Sequence, residues 1–520
     1  MGKSLDDLYR SPRDLALWQT AQQDLMRGRA ERSAGSYRDL LKRFPDLAEL
    51  WFELGFAEGR RLDFTAAGQA CARAVELASK RASFLILAGQ QYHWLRDLDA
   101  ARTCFEQAAR AEPESVHAQL TLADWYEREH RLEDAWRCVD AALALKPQDA
   151  TVLCVKALLL HRQRSNGEAE SLLRDLVARP SNDTNARYTS RHQLAMVLDE
   201  TGQYDEALKW LGEAKAVLRT TADIAKLEQE YDRGTARRRE LLAALTPEMI
   251  QRWRKEGPAE KLGCRLAFLG GHPRSGTTLL EQILGAHPAI MSFDEPIAFT
   301  EEVVEKLAPL NATVKLSVKN LNNLSVPQRV DFERRYWRSL MRGVPSDQGA
   351  ELVLDKNPSP TASLHLWLRL FPDSKVVIAL RDPRDVIVSC YFQNLRLNAT
   401  AANFLSLERT VRHYTDLMDV WLRLRELGGF DWIETRYEDV VGGLEAEGRR
   451  VTEFLGLSWH PQQAAFHEAS EKKFVFSPTY NAVKQPIYQR AIGRWKHYEA
   501  ALAPLQAKLG RYVQAFGYAP

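Results

Sequence analysis

Through the first half of the chain, small and apolar residues return at a fixed interval. Ala67, Ala101 and Ala135 stand 34 residues apart, as do Gly55 and Gly89, Ala74, Ala108 and Ala142, and Pro113 and Pro147. A recurrence of this length signals one supersecondary unit used repeatedly. Small residues are needed where paired helices approach closely, and a proline ends the second helix where a missing N–H costs least. Units that start at Asp14, Ala48, Ala82, Val116 and Ala150 fit the pattern, with Pro45 in the closing position. A sixth unit, from Tyr188 to about Val217, fits after a four-residue slip and puts Ala207 and Ala214 at the small positions. From Leu262 onward the interval is gone. Short apolar runs at 265–269, 352–354, 375–380 and 432–436 alternate there with helical stretches, which predicts a parallel sheet with crossover helices. Each run ends in polar residues, and the ligands of such sheets sit beyond the carboxyl ends of the strands.

The 34-residue register resembles the tetratricopeptide repeat, a helix–turn–helix unit. About six repeats are expected over residues 1–245, followed by a charged connector at 246–261 and a second domain at 262–520, with the boundary near Pro258. Such an array offers a concave surface for a protein segment, or else serves as a spacer or oligomer contact. Trp18, Trp51, Trp94, Trp125 and Trp210 read mostly as packing residues. Cys71, Cys104 and Cys138 recur near equivalent packing positions, so their spacing needs no chemistry.

Composition narrows the function by exclusion. Seventy-one basic against sixty-nine acidic residues give a net charge of +2, too balanced for general nucleic-acid or membrane-surface binding. Any preference for anions must be local. The amino terminus has no apolar export core, no later run approaches the roughly 20 apolar residues that span a bilayer, and Gly2 lacks the hydroxyl partner of a myristoylation signal, since Asp6 stands there. A cytoplasmic protein with six reduced cysteines is expected, because no C-x-x-C or Cys/His cluster has metal-ligand spacing.

The first strand runs into Gly271-His-Pro-Arg-Ser-Gly276 and then directly into a helical pattern. Glycine at both ends lets the backbone curl its amides toward an anion, to which the helix adds its positive end. A nucleoside-triphosphate loop carries lysine directly after the second glycine. Here Thr277 stands in that place and the loop's cation is Arg274. An anionic group is therefore expected without ordinary ATP chemistry, which argues against a kinase.

These residues resemble the sulfotransferases that use 3′-phosphoadenosine 5′-phosphosulfate (PAPS), and among them the tyrosylprotein branch and its relatives fused to tetratricopeptide repeats. The resemblance is carried by Pro273-Arg-Ser-Gly-Thr-Thr-Leu279 with Ala286-His-Pro288 and Glu295, and by Leu380-Arg-Asp-Pro-Arg-Asp-Val386 followed by Ser389. Tyr437-Glu-Asp439, Gln485-Pro486 and Gly493-Arg-Trp495 extend it. The implied architecture is α + α/β: an all-helical repeat superhelix followed by a P-loop-like α/β domain around a central parallel sheet. By this resemblance Arg274, Ser275, Gly276, Thr277 and Thr278 hold the 5′-phosphosulfate, while Arg381 and Ser389, eight residues apart, read the 3′-phosphate that ATP lacks. Tyr437, Thr479 and Arg494 match further nucleotide contacts, with Ser477 the alternative to Thr479. Lys356 matches the lysine that stabilises the transferring group.

Transfer to a hydroxyl needs a base. Glu295 stands where the tyrosylprotein branch carries its own, with Asp294 the adjacent rival and His272 and His287 behind it. The arrangement requires no metal, because a sulfuryl group carries less charge than a phosphoryl group and fixed cations and amides suffice. The departure from the family's Glu-Glu pair to Asp294-Glu295 leaves the acceptor open: a protein or peptide tyrosine recruited by the repeats, or a carbohydrate, lipid or small alcohol. A non-catalytic repeat adaptor with a degenerate second domain is the remaining alternative.

Overall fold

The computed structural model describes residues 4–260, 263–307, 316–344, 349–467 and 490–519. The described chain divides into two compact units, residues 1–172 with 341–346, and residues 173–340 with 347–520.

The first unit is a succession of antiparallel helix pairs. Its pairs are Pro12–Met26 with Ala30–Leu41, Ala48–Arg60 with Phe64–Leu77, Ala82–Leu95 with Leu98–Ala111, Val116–Arg128 with Leu132–Leu145, and Ala150–Arg162 followed by Asn166–Ala178, which runs into the second unit. Four of the five first helices begin where the sequence interval predicts. The small residues sit where helices touch: Ala67, Ala101, Ala135, Ala74, Ala108 and Ala142 are fully buried. At Gly89 a Cβ would stand 2.6 Å from the Phe105 ring, so a larger residue would force the pair apart. Burial pushes the Cys71 and Cys104 thiols up to about 12 and Cys138 to about 11, as befits packing residues.

In the second unit, helices Thr184–Glu200 and Tyr204–Arg219 form the pair that the sequence reads as the sixth repeat, beginning one turn earlier than Tyr188. Helices Ile224–Ala243 and Pro247–Glu256 follow. The sheet then forms from β1 (Arg265–Gly271), β2 (Ile290–Asp294), β3 (Leu352–Lys356), β4 (Lys375–Leu380) and β5 (Trp432–Arg436), all parallel, in the order β2-β3-β1-β4-β5. Both faces are covered, as a parallel sheet requires. On one face Ala267 and Leu269 of β1 pack with Leu280, Ile283 and Val451 from two helices. On the other, Phe268 meets Trp367, which joins Phe299, Tyr336 and Phe371 in an aromatic cluster. Strand β2 was not expected from the sequence. Its five residues carry a half-buried Ser292 between apolar neighbours, and that hydroxyl bonds Glu281 at 2.5 Å. The polar position makes sense only once the neighbouring helix is in place.

Register positions the chemistry. Leu269 of β1 and Asp294 of β2 both pair with Lys356 of β3, and Gly271 pairs with Ala379 of β4, so β2 and β3 end together opposite Leu269 while β1 and β4 run slightly further in the same direction.

Candidate functional site

The loop after β1 is shaped by three left-handed backbone positions, Gly271 at φ +129°, Arg274 at φ +75° and Gly276 at φ +88°. Glycine is required at two of them by space as well as by angle. A Cβ on Gly271 would stand 2.3 Å from the Ala379 carbonyl oxygen, and one on Gly276 would stand 2.6 Å from Tyr437 Cδ2. The Gly271 amide donates to Thr361 Oγ1 at 2.9 Å, and the Ser275 amide closes a turn onto the His272 carbonyl at 3.1 Å. Helix Thr277–Gly285 begins from Gly276 with no side-chain cap, and its first bond runs from the Leu280 amide to the Gly276 carbonyl. The amides ahead of that bond form the open, positive end of the helix, shaped to receive an anion.

Two arginines and a hydroxyl gather beside the loop. Arg274 Nε donates to Ser389 Oγ at 3.0 Å, and Arg381 Nη1 donates to the Arg274 carbonyl at 3.3 Å. Arg381 also donates to the Ala491 carbonyl, lies 3.9 Å from Asp385, and rests 5.1 Å over the Tyr437 ring. Helix Pro383–Tyr391, which carries Ser389, starts with proline at N1 and with Asp382 accepting from the Arg384 amide at 2.9 Å. Asp385 accepts from the amides of Gly493 and Trp495 at 2.7 and 2.8 Å, which fixes the 493–495 turn to this helix. Burial raises the Asp385 carboxyl above the ordinary aspartate value despite Arg381 and those two amides.

The second cluster is centred on Lys356, which is fully buried at the end of β3. Its Nζ donates to Thr278 Oγ1 at 3.2 Å, forms a short ion pair with Asp294, and lies 3.5 Å from Glu295 Oε1. Burial alone would push this ammonium down, but Asp294, Glu295 and Glu281 hold it above the ordinary lysine value. The two carboxylates differ in setting. The Asp294 side chain is 2% exposed and committed to Lys356, whereas that of Glu295 is 35% exposed. Glu295 turns out of the sheet at φ +47°, its amide donating to the Lys356 carbonyl at 2.8 Å.

Residues 267–461 match the sulfotransferase family profile, and residues 95–136 match a tetratricopeptide repeat profile. Residues that match the sulfotransferase family thus follow residues that match a tetratricopeptide repeat. It is 25% identical over 404 residues to an uncharacterized protein of Aquifex aeolicus, covering 75% of this chain and 49% of that one. It is 24% identical over 235 residues to protein-tyrosine sulfotransferase A of Caenorhabditis elegans, covering 44% of this chain and 60% of that enzyme. The matched part thus spans about half to three-fifths of these relatives. The sulfotransferase domain of a Synechococcus PCC 7002 olefin synthase aligns over 51% of this chain and 98% of its own, at 19% identity and a TM-score of 0.35.

Within the matched residues the expected side chains fall into these two clusters: Arg274, Gly276, Arg381, Ser389 and Tyr437 in one, Thr278, Lys356, Asp294 and Glu295 in the other. Ser275 and Thr277 are buried in the loop between them. Arg494 follows Gly493 in the turn fixed by Asp385, but its side chain points to another partner. Its guanidinium is held by Asp199, with Nε 3.2 Å from Oδ1 and Nη2 2.9 Å from Oδ2, and lies 4.5 Å over the Phe392 ring. Thr479 and its alternative Ser477 lie outside the described residues. His287 is a turn residue, its Nδ1 accepting from the Ala289 amide at 3.0 Å and its Nε2 facing the Ser458 carbonyl.

His272 is buried behind the loop, a role the sequence did not disclose. Its Nδ1 must donate to the Pro273 carbonyl at 2.8 Å, so its Nε2 accepts from His413 Nδ1 at 2.9 Å. Burial holds His192 and His272 at about 4 and His365 at about 3, all neutral at pH 7. The unfolded chain takes up these protons near pH 6.5 and the folded protein only near pH 4, so acidification across that window favours unfolding. The melting temperature is expected to fall as pH drops from 6.5 toward 4, and His272→Asn should flatten the fall. Calorimetric scans across this range check it.

Among the described residues, no group of three His, Cys, Asp or Glu side chains could hold a metal ion, and no helix is long and apolar enough to cross a membrane.

Proposed function

We propose that this protein transfers a sulfuryl group from PAPS to the hydroxyl of a protein or peptide tyrosine, with the repeats recruiting the acceptor. The observation that carries the reading is Lys356, a buried cation joining the hydroxyl of the anion loop, Thr278, to the paired carboxylates Asp294 and Glu295. The residues fit the donor: an uncapped helix start and Arg274 suit a 5′-phosphosulfate, and Arg381 with Ser389 suits a 3′-phosphate.

In this reading Glu295 accepts the acceptor's proton as its oxygen bonds to sulfur. The bond from sulfur to the bridging phosphate oxygen breaks, leaving 3′-phosphoadenosine 5′-phosphate. Lys356 and Thr278 stabilise the charge on the transferring group, Arg274 the charge passing to the departing phosphate. Asp294 keeps Lys356 charged and aimed. The greater exposure of Glu295 favours it over Asp294 as base, since an acceptor can reach it.

Incubation of the full chain with sulfur-labelled PAPS and tyrosine-bearing peptides, sugars or simple alcohols tests this. Label on tyrosine supports it. Label on a sugar or alcohol alone would keep the sulfotransferase and remove the protein acceptor, and no transfer to any acceptor would favour a repeat adaptor.

A further inference from the structure

The helix pair Thr184–Glu200 and Tyr204–Arg219 does more than continue a repeat. Lys215 is 1% exposed, and its Nζ reaches the Gln393 carbonyl at 3.5 Å and lies 5.0 Å over the Tyr391 ring. From the other helix of the pair, buried His192 Nε2 donates to the Phe392 carbonyl at 3.0 Å. Both groups therefore sit on the carbonyls that close helix Pro383–Tyr391, those of its C-cap Phe392 and of the residue after it, where cationic and N–H-bearing side chains satisfy open acceptors and oppose the negative end of the helix. That helix ends two residues after Ser389, whose hydroxyl receives Arg274. Tyr188 fastens the next turn, donating to Asn394 Oδ1 at 3.0 Å and accepting from the Leu395 amide at 2.9 Å.

A lysine this deeply buried is held well below its ordinary value, to about 7, because burial penalises its charge. Packing alone would be served better by methionine or leucine. Its place at the end of the Ser389 helix supplies a reason for the amine.

We infer that Lys215 and His192 are positioning residues of the nucleotide site, clamping the carboxyl end of helix Pro383–Tyr391 so that Ser389 is presented to the 3′-phosphate. The inference rests on the reading above, in which Arg381 and Ser389 hold that phosphate. The sixth repeat is in this account a working part of the transferase site.

The test is calorimetric titration of the full chain with 3′-phosphoadenosine 5′-phosphate and with ADP, for wild type, Lys215→Met, His192→Leu and His192→Gln. Lys215→Met and His192→Leu are expected to weaken the 3′-phosphorylated nucleotide at least fivefold and leave ADP within twofold. His192→Gln, which keeps a side-chain N–H donor, should behave as wild type. A purely structural role would change the melting temperature without changing the ratio of the two affinities. Lys215→Met and His192→Leu that both keep the wild-type ratio, or lose both nucleotides equally, would overturn the inference while leaving the proposed function standing. A wild type that does not distinguish the two nucleotides would overturn that function and this inference with it.

Discussion

Arg274→Ala is expected to lose nucleotide affinity and turnover together. The side chain joins the Gly271–Gly276 loop to Ser389 at 3.0 Å, and its carbonyl receives Arg381, so one substitution removes a charge and loosens the bridge between the loop and the Arg381–Ser389 pair. A charge-assisted hydrogen bond contributes about 1.5–3 kcal/mol, which corresponds to roughly a 10- to 100-fold loss in binding of 3′-phosphoadenosine 5′-phosphate. The charge that Arg274 opposes grows as the phosphate departs, so kcat/KM should fall further, by about 10²–10³. Arg274→Lys should recover only part of this, because an ammonium cannot present the guanidinium fork. Titration beside initial-rate measurements separates the two effects. Unchanged affinity in Arg274→Ala would mean that this loop does not hold the nucleotide's 5′ end.

Glu295→Gln should divide those quantities. Glutamine fills the same volume and keeps the backbone bond from residue 295 to the Lys356 carbonyl, so the fold and the loop are undisturbed. It cannot accept a proton, and a positioned general base contributes about 10²–10⁴ in rate. Turnover should drop by that factor with nucleotide affinity within twofold of wild type. Asp294→Asn is the contrasting variant. Asp294 is buried on Lys356, so its loss leaves an ammonium with less counter-charge and should lower the melting temperature as well as the rate. Equal loss of nucleotide affinity in Glu295→Gln would remove its assignment as base.

Much of the architecture was legible because one physical constraint repeats. Close approach of paired helices demands a small residue every 34 positions, and the buried Ala67, Ala101 and Ala135 meet that demand. The shape of the Gly271–Gly276 loop was legible for a related reason: both glycines are fixed by backbone angle and by contact, and such positions tolerate no other residue. Strand β2 was not legible, since its polar Ser292 is explained only by Glu281 on a neighbouring helix. The pairing of Lys356 with Asp294 was also hidden. They are 62 residues apart in sequence and meet through the β2–β3 register. The partner of Arg494 was hidden as well: its guanidinium lies on Asp199, 295 residues earlier, in a helix that the family pattern does not include. His272 reads in sequence as a candidate base, whereas its burial and its bond with His413 make it a support for the loop.

The central claim is that Arg381 and Ser389 read a 3′-phosphate on a nucleotide whose 5′ end lies in the Gly271–Gly276 loop. Calorimetric titration of the full chain with 3′-phosphoadenosine 5′-phosphate and with ADP, without magnesium and repeated on Arg381→Ala, tests it most directly. The account predicts strong preference for the 3′-phosphorylated nucleotide in the wild type and loss of that preference in the variant. No binding, or a preference for ADP that the Arg381 substitution leaves untouched, would contradict it.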